Sequence, residues 1–148
     1  MTSTSFTVFA SGDPKGQPRA RAFSRNGMVR LYDPATAEGW KSAIAAAVKP
    51  KLPATLPATL DPVALEVTFY FPRPRSHYRS GARFRELRPT IPTRHAKKPD
   101  IDNCIKAVMD ALTVVGVWRD DAQVDRLWTR REWAGEQGPG AQITVNFS

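Results

Sequence analysis

The chain of 148 residues has a single cysteine, Cys104, and only two histidines, His77 and His95. One cysteine excludes a disulfide framework and any cysteine-based zinc cluster, and two histidines exclude a histidine-rich metal site. No run of about 18 apolar residues occurs, which excludes a transmembrane helix. The first residues hold neither a basic region nor a long apolar run, so we expect no signal peptide. These absences favour a globular domain in the reducing cytoplasm, without membrane contact.

Positive charge is what the chain has in excess, with 22 Lys and Arg against 14 Asp and Glu and a net charge of +8. Between Arg73 and Lys98 nine residues are basic and one, Glu86, is acidic, so the rest of the chain is balanced. We call residues 73–98 the basic segment and expect a flexible loop that binds a polyanion, because arginine clusters bind phosphates. A solvated loop whose charges only aid solubility is the alternative. The expected contacts are Arg83, Arg85, Arg88, Lys97 and Lys98.

A second basic group lies near the N-terminus and contains Lys15, Arg19 and Arg21. Arginines 19 and 21 are spaced by two, which is typical of one face of a strand. Asn26-Gly27 then predicts a hairpin turn into a strand near 28–32. This group either binds the same polyanion or is merely an exposed, charged strand face.

Hydrophobic periodicity predicts a mixed order of strands and helices. Asp33-Pro34 predicts the start of a helix that runs to about Val48, and a second helix spans about 100–115. We therefore expect one small α+β domain over residues 1–148, with a mixed β-sheet packed against two helices. The other strands are predicted near 6–10, 63–71, 122–133 and 142–147.

The segment KKPDIDNCIKAVMDAL carries two carboxylates, Asp100 and Asp102, at the start of the second helix. Mg²⁺ prefers oxygen ligands, usually one or two carboxylates with waters and substrate phosphate. The pair Asp120-Asp121 follows the helix, and a third carboxylate reaches the same spot if the next strand packs beside the helix start. The structural alternatives are that Asp100 is only an N-cap and that Asp102 forms an ordinary ion pair with Lys106.

The run KPDIDNCIKAVMDAL followed by VWRDDAQV resembles the RusA family of Holliday junction resolvases, endodeoxyribonucleases of bacteria and their phages. Upstream, KGQPRARAF and VRLYDPATAEGWK look like the N-terminal pattern of that family. The resemblance covers nearly the whole chain and is loose across 50–60 and 73–95. It implies a homodimer that acts on branched DNA, because two sites related by a two-fold axis suit symmetric nicks in a four-way junction.

By this resemblance, the catalytic aspartates that bind Mg²⁺ are Asp100, Asp102 and Asp121. Lys106 matches the essential lysine of the family, whereas Asn103 and Asp120 match supporting positions. The residue types predict hydrolysis by a metal-activated water, with Mn²⁺ able to replace Mg²⁺ and Lys106 neutralising charge on the phosphate oxygens. The alternatives are a protein that binds branched DNA without cutting it, and a broader nuclease for flaps or forks.

Some residues outside the motif also carry expectations. The tryptophans expected in the core or at a dimer interface are Trp118, Trp128 and Trp133. Phe84 is the aromatic residue that could insert at the junction centre, and His95 is expected to be a phosphate contact or a plain loop residue. Asp110, four residues after Lys106, is expected to pair with that lysine or to be a surface acid.

Overall fold

The structure is a computed structural model that describes the backbone of residues 4–17, 21–25, 28–32, 35–52 and 61–147, and the side chains within 4–17, 37–52 and 61–147. Its helices and strands are β1 Thr4–Ser11, β2 Arg21–Arg25, β3 Met28–Tyr32, α1 Ala35–Val48, β4 Val63–Phe71, α2 Ile101–Val115, β5 Val124–Trp133 and β6 Gly140–Phe147. Short 3-10 turns occur at Lys49–Lys51, Arg75–His77, Gly81–Arg83 and Asp121–Gln123.

Four of the strands form a mixed sheet in the order β1-β6-β4-β5, and β2 pairs with β3 in a two-stranded sheet. Strand β6 is antiparallel to both β1 and β4, whereas β4 and β5 are parallel. Parallel neighbours need a long crossover connection, which contains α2 here. The prediction of a small α+β domain with a mixed sheet and two helices is therefore confirmed.

The hydrophobic core lies between the two helices and one face of the four-stranded sheet. Alternate residues of β4 point into it, so Val67 and Phe69 are fully buried together with Ile44 of α1 and Leu112 of α2. The other face of the sheet carries polar residues, and the hydroxyls of Thr7 and Thr144 lie 2.9 Å apart there. A sheet with one packed face and one solvated face explains the alternation seen in the sequence.

Helix α2 has nearly the bounds that its sequence predicts. Ile105, Val108 and Leu112, spaced by three and four residues, form the apolar stripe of the helix and are buried. The helix ends at Gly116, whose φ of 90° lies in the left-handed region and whose N–H bonds back to the last turn. A helix of 15 residues is about 22 Å long. The residues before and after α2 therefore lie far apart.

Several predictions fall partly outside the described residues. Arg25 pairs with Met28 between β2 and β3, which agrees with the predicted hairpin. The Asn26-Gly27 turn itself, Arg19 and the predicted helix start at Asp33-Pro34 are not among the described residues, and of Arg21 only the backbone is described.

Candidate active site

Two exposed carboxylates stand at the start of α2. Asp100 occupies the N-cap position, yet its side chain makes no cap hydrogen bond. Its backbone carbonyl accepts the first helical hydrogen bond, from the N–H of Cys104 at 3.0 Å. Asp102 lies in the first turn, where the helix dipole stabilises negative charge. The side chain of Asp100 is thus not used for capping, and its carboxylate oxygens face solvent.

The thiol of Cys104 is buried close to both carboxylates, in the first turns of α2. Burial raises the pKa of this thiol to about 12; the charge of Arg131 opposes the shift, and the charges of Asp100 and Asp102 add to it. A thiol that stays protonated at neutral pH is a poor nucleophile. Cys104 is therefore a core residue, and the site offers carboxylates rather than a covalent nucleophile.

Lys106 follows Asp102 by four residues and is exposed on the same side of α2. Within the described part of the chain, no ion pair joins Lys106 to an acid. Asp110 instead pairs with Lys41 of α1, with Nζ and Oδ2 2.6 Å apart. Asp110 is therefore not the partner of Lys106, because α1 packs against α2 and offers the nearer amine; it is a partly exposed acid, as the alternative expected. The ammonium group of Lys106 is left available to a substrate.

The loop that follows β1 crosses the start of α2. The N–H of Gln17 donates to the carbonyl of Asn103 at 2.8 Å. At Gly16 an added Cβ would come within 3.1 Å of Pro99 Cβ and 3.2 Å of Asn103 Cβ, so a residue without a side chain suits this approach. Asn103 thus helps to fix this loop through its backbone, which agrees with a supporting position.

This crossing brings three basic residues to one place. Lys15, Lys97 and Lys98 line a pocket of about 380 Å³, and Pro99, which precedes Asp100, lines it too. The amine of Lys15 lies 3.4 Å from a carboxylate oxygen of Asp13, an exposed ion pair that contributes little energy. Three of the predicted DNA-binding residues therefore gather beside the two carboxylates.

Asp120 and Asp121 have different structural positions. Asp120 caps the 3-10 turn at Asp121–Gln123: its Oδ1 accepts from the N–H of Ala122 at 2.9 Å, and Gln123 Oε1 accepts from the N–H of Asp120 at 3.3 Å. Gln123 also donates to the carbonyl of Asp61, just before β4, at 3.1 Å. Asp121 makes no such cap and is exposed. The cap therefore shapes a turn that presents Asp121 to solvent.

One chain does not bring Asp121 to the other two aspartates. Asp100 and Asp102 begin α2, whereas Asp121 follows its C-terminal end and precedes β5. The seven residue steps from Val124 to Arg131 along β5 span about 23 Å, and it is Arg131 that lies beside the start of α2. Among the described residues, no group of three acids, histidines or cysteines has the arrangement of a metal site.

Arg131 is a residue of the site that the sequence reasoning missed. Its guanidinium donates to the carbonyl of Lys97 at 2.8 Å and to the carbonyl of Pro99 at 3.0 Å. The alternation along β5 places it on the same face as Leu127 and Thr129, the face toward the helices. An arginine at an inward position of a strand needs hydrogen-bond acceptors nearby. The alternation along β5 was therefore the sequence signal that could have identified Arg131.

An aromatic cluster anchors the basic segment to the sheet. The ring of His95 stacks on Phe71 with centroids 4.0 Å apart, and it lies edge-to-face with Trp133 at a centroid distance of 4.8 Å. The ring of His77 lies edge-to-face with the same indole at a centroid distance of 5.0 Å, and the guanidinium of Arg73 lies 5.3 Å from the centre of that indole.

The environment of His95 disfavours its charged form. Burial, with repulsion from Arg131 and Lys97, lowers the pKa of His95. His95 is buried, so the expectation of a phosphate contact is wrong; it is a loop residue, as the alternative expected, but one that packs against the sheet.

The basic segment folds into turns and contains no element longer than three residues. An antiparallel bridge between Tyr78 and Leu87 closes this segment into a lobe.

The side chains predicted to contact DNA lie on the surface of this lobe. Phe84 is 56% exposed there, beneath the guanidinium of Arg85. Arg83 pairs with Glu86 at 2.7 Å, and the Nε of Arg88 donates to the carbonyl of Tyr78 at 2.9 Å. All three predicted arginines are exposed.

The helices in the described part of the chain are too short or too polar to cross a membrane. A fold with an acidic helix start, a neighbouring lysine and surrounding basic residues suits an enzyme that acts on phosphodiesters.

Comparison with known proteins identifies the family. Residues 11–146 match the family described as endodeoxyribonuclease RusA, so the chain belongs to the RusA family of endodeoxyribonucleases. It is also 36% identical over 150 residues to the uncharacterized protein YqaN of Bacillus subtilis (strain 168), with 98% of this chain and 96% of that protein covered. The protein is accordingly an endodeoxyribonuclease, and membership implies activity on Holliday junctions.

Proposed function

We propose that this protein is a Mg²⁺-dependent, structure-selective endonuclease that resolves four-way DNA junctions by paired, symmetric nicks. The observation that carries the proposal is the start of α2, where Asp100 and Asp102 are exposed and neither caps the helix nor forms an ion pair among the described residues. Lys106 stands one helical turn further along. The proposal places the enzyme in the cytoplasm of a bacterial or phage-infected cell, where its DNA substrate lies.

The residues present fit a hard divalent cation. Carboxylate oxygens are the ligands that Mg²⁺ prefers, and the buried thiol of Cys104 does not compete for the ion. Asp100 and Asp102 would hold the ion, with Asp121 as the third carboxylate, and Mn²⁺ would occupy the same oxygen site. A bound Mg²⁺ supplies Lewis-acid activation of water and of the phosphodiester.

The side chains of the chain itself have three tasks in this scheme. Lys106, an exposed ammonium without an acidic partner in the described part, neutralises the charge that develops on the phosphate oxygens. Lys15, Lys97 and Lys98 bind the flanking backbone and offset the repulsion between the aspartates and DNA. Arg131 holds the peptide before Asp100 and so fixes the backbone at the point where Asp100 begins the helix.

A second copy of the chain would complete the acid set. Within one chain, Asp121 and the pair at the start of α2 lie at opposite ends of a helix of about 22 Å. In a two-fold dimer, each chain can present its Asp121 to the start of α2 of the other. We therefore propose a homodimer with two composite sites, each of which cuts one strand of the junction.

Strand β5 is the surface that we propose for this dimer. It forms one edge of the described sheet, and Leu127 and Trp128 in its middle are 46% and 51% exposed. An exposed strand edge is a template for pairing with another strand. Antiparallel pairing of two copies of β5 would bring the Asp121 end of one beside the Arg131 end of the other, and Arg131 lies at the start of α2.

The rival functions are a protein that binds branched DNA without cutting and a broader nuclease for flaps or forks. Both are tested by incubating the purified protein with an immobile four-way junction, a flap and a matched linear duplex, each with Mg²⁺ and with EDTA. Paired nicks in the junction alone, dependent on Mg²⁺ and lost in Asp102→Asn, support the proposal. Tight binding without cutting favours the binding protein, and equal cutting of the flap favours the broader nuclease.

A further inference from the structure

A pocket of about 450 Å³ lies at the C-terminal end of β5, between that strand and the basic segment. Four arginines line it, with one threonine and one carboxylate: Arg73, Arg94, Arg130, Arg131, Thr93 and Glu132. The lining therefore carries four positive charges against one negative charge. None of these residues belongs to the candidate acid set or to the predicted DNA contacts.

Such a pocket is suited to an anion. Arginine side chains that converge on one cavity repel each other unless a counter-charge enters. Glu132 provides a part of this charge, because its Oε1 lies 3.0 Å from the Nε of Arg130. No ion pair of Arg94 is found among the described residues, and this guanidinium is exposed. The hydroxyl of Thr93 adds a further donor to the wall.

Two of the guanidinium groups are held in place by the protein itself. Arg73 lies over the ring of Trp133, and its NH1 donates to the carbonyl of Pro92 at 3.3 Å. Arg131 is fixed by its bonds to the carbonyls of Lys97 and Pro99. Groups that are already oriented lose less conformational entropy when they bind a ligand. The planar fork of arginine also matches the geometry of a phosphate.

We propose that this pocket binds a backbone phosphate of the DNA strand that is cut, at a position close to the scissile phosphodiester. Arg131 connects the two places, because it lines the pocket and also holds Pro99, which directly precedes Asp100. The inference rests on the proposed function, since it takes DNA as the substrate. It assigns the pocket a task that Arg83, Arg85 and Arg88 on the lobe do not perform.

The test compares Arg94→Gln with Lys49→Gln, which removes the same charge from an exposed site at the end of α1. Affinity for an immobile four-way junction is measured in EDTA, where no cutting occurs, over a range of salt concentrations. Each bound phosphate that is lost should make the slope of log K against log [salt] shallower by about 0.9, so Arg94→Gln, which loses one in each chain of the proposed dimer, should change the slope by about 1.8. Lys49→Gln should leave the slope unchanged. Glu132→Gln should tighten binding, because it removes the carboxylate that competes for Arg130.

The phosphate is located with junctions that carry one neutral methylphosphonate at successive positions around the cut. At one position, the weakening caused by the methylphosphonate should disappear in Arg94→Gln, because this variant no longer binds that phosphate. The proposal that the pocket binds a phosphate would be overturned by equal salt slopes for Arg94→Gln and wild type. It would also be overturned if the effects of Arg94→Gln and of the methylphosphonate on affinity were additive at every position. If the wild type shows the expected binding but never cuts with Mg²⁺, the proposed function fails and the pocket stands. If the wild type cuts but Arg94→Gln has the same salt slope as Lys49→Gln, the proposed function stands and the proposal for the pocket fails.

Discussion

The guanidinium of Arg131 donates a hydrogen bond of 3.0 Å to the carbonyl of Pro99, the residue directly before Asp100. A second bond, of 2.8 Å, goes to the carbonyl of Lys97. Because Arg131 lies on β5 and Asp100 caps α2, these bonds connect the sheet to the helix start at the point where the candidate metal ligands begin. Arg131 is therefore a positioning residue, and it acts on the site through the backbone.

Replacing Arg131 with lysine separates this positioning from charge. Lysine keeps the positive charge but lacks the planar guanidinium group, whose NH1 nitrogen donates to both carbonyls. We expect Arg131→Lys to raise the Mg²⁺ concentration needed for half-maximal cutting by about 10–100-fold, the usual effect of removing a group that orients a metal ligand. In EDTA the salt slope of junction binding should stay that of the wild type, because the positive charge at the pocket is retained. The measurement is single-turnover cleavage across a Mg²⁺ titration, and an unchanged Mg²⁺ dependence would contradict the positioning role.

The composite site predicts complementation between two inactive variants. Asp102→Asn and Asp121→Asn should each abolish cutting while leaving junction affinity intact or higher, because a negative charge near phosphate is removed. When the two are mixed in equal amounts and allowed to exchange subunits, half of the dimers are mixed and each has one intact set of acids. About a quarter of the wild-type number of sites should return, as single rather than paired nicks.

The matched control is a mixture of Asp100→Asn and Asp102→Asn. Both residues belong to the same half of the proposed site, so no mixed dimer has an intact set and the mixture should stay inactive. A mixture of Asp102→Asn and Asp121→Asn that exchanges subunits, binds the junction and remains inactive would refute the composite site.

Local patterns were sufficient to predict the elements that carry the site. The alternation of apolar and polar residues predicted β4 with its observed bounds, Val63–Phe71, because one face of that strand is packed and the other is not. The start of α2 could also be predicted, since Asp100 and Asp102 are only two residues apart. Their proximity needs no knowledge of the tertiary fold.

The position of Asp121 could not be predicted in this way. It depends on β5 running back along α2 as the parallel neighbour of β4. Asp121, which precedes β5, therefore lies near the C-terminal end of α2, and the length of the helix separates that end from Asp100 by about 22 Å. The inward position of Arg131 was readable from the alternation along β5, but its acceptors, the carbonyls of Lys97 and Pro99, come from a turn with no periodicity. The burial of His95 depends on the same turn.

The lobe of the basic segment predicts an uneven set of DNA contacts. Neutralising Arg83, Arg85 and Arg88 together should weaken junction binding and make its salt dependence shallower, by about 0.9 in slope for each phosphate that the protein no longer neutralises. Among single variants, Arg85→Gln should weaken binding more than Arg83→Gln, because Arg83 is already paired with Glu86 at 2.7 Å. Affinity titrations over a range of salt concentrations give both values. An unchanged slope in the triple variant would exclude the lobe as a DNA-binding surface.

The aromatic cluster predicts that the folded state loses stability in mild acid. Burial and the charges of Arg131 and Lys97 lower the pKa of His95 in the folded chain, whereas the unfolded chain titrates near the ordinary value of about 6.5. Below that pH the unfolded state binds more protons, so the free energy of unfolding falls as the pH drops from 7 toward the folded-state pKa.

His95→Phe provides the comparison, because it keeps a ring to stack on Phe71 and removes the titrating group. Urea unfolding at pH 7.5 and at about pH 5.5 should show a smaller loss of stability for His95→Phe than for the wild type. His77, whose pKa is also lowered by burial and by Arg73 and Lys97, should leave a part of the loss in place. Equal losses in the two proteins would show that His95 does not titrate on unfolding, and that its neutral, stacked form is not what anchors the basic segment to β4 and β5.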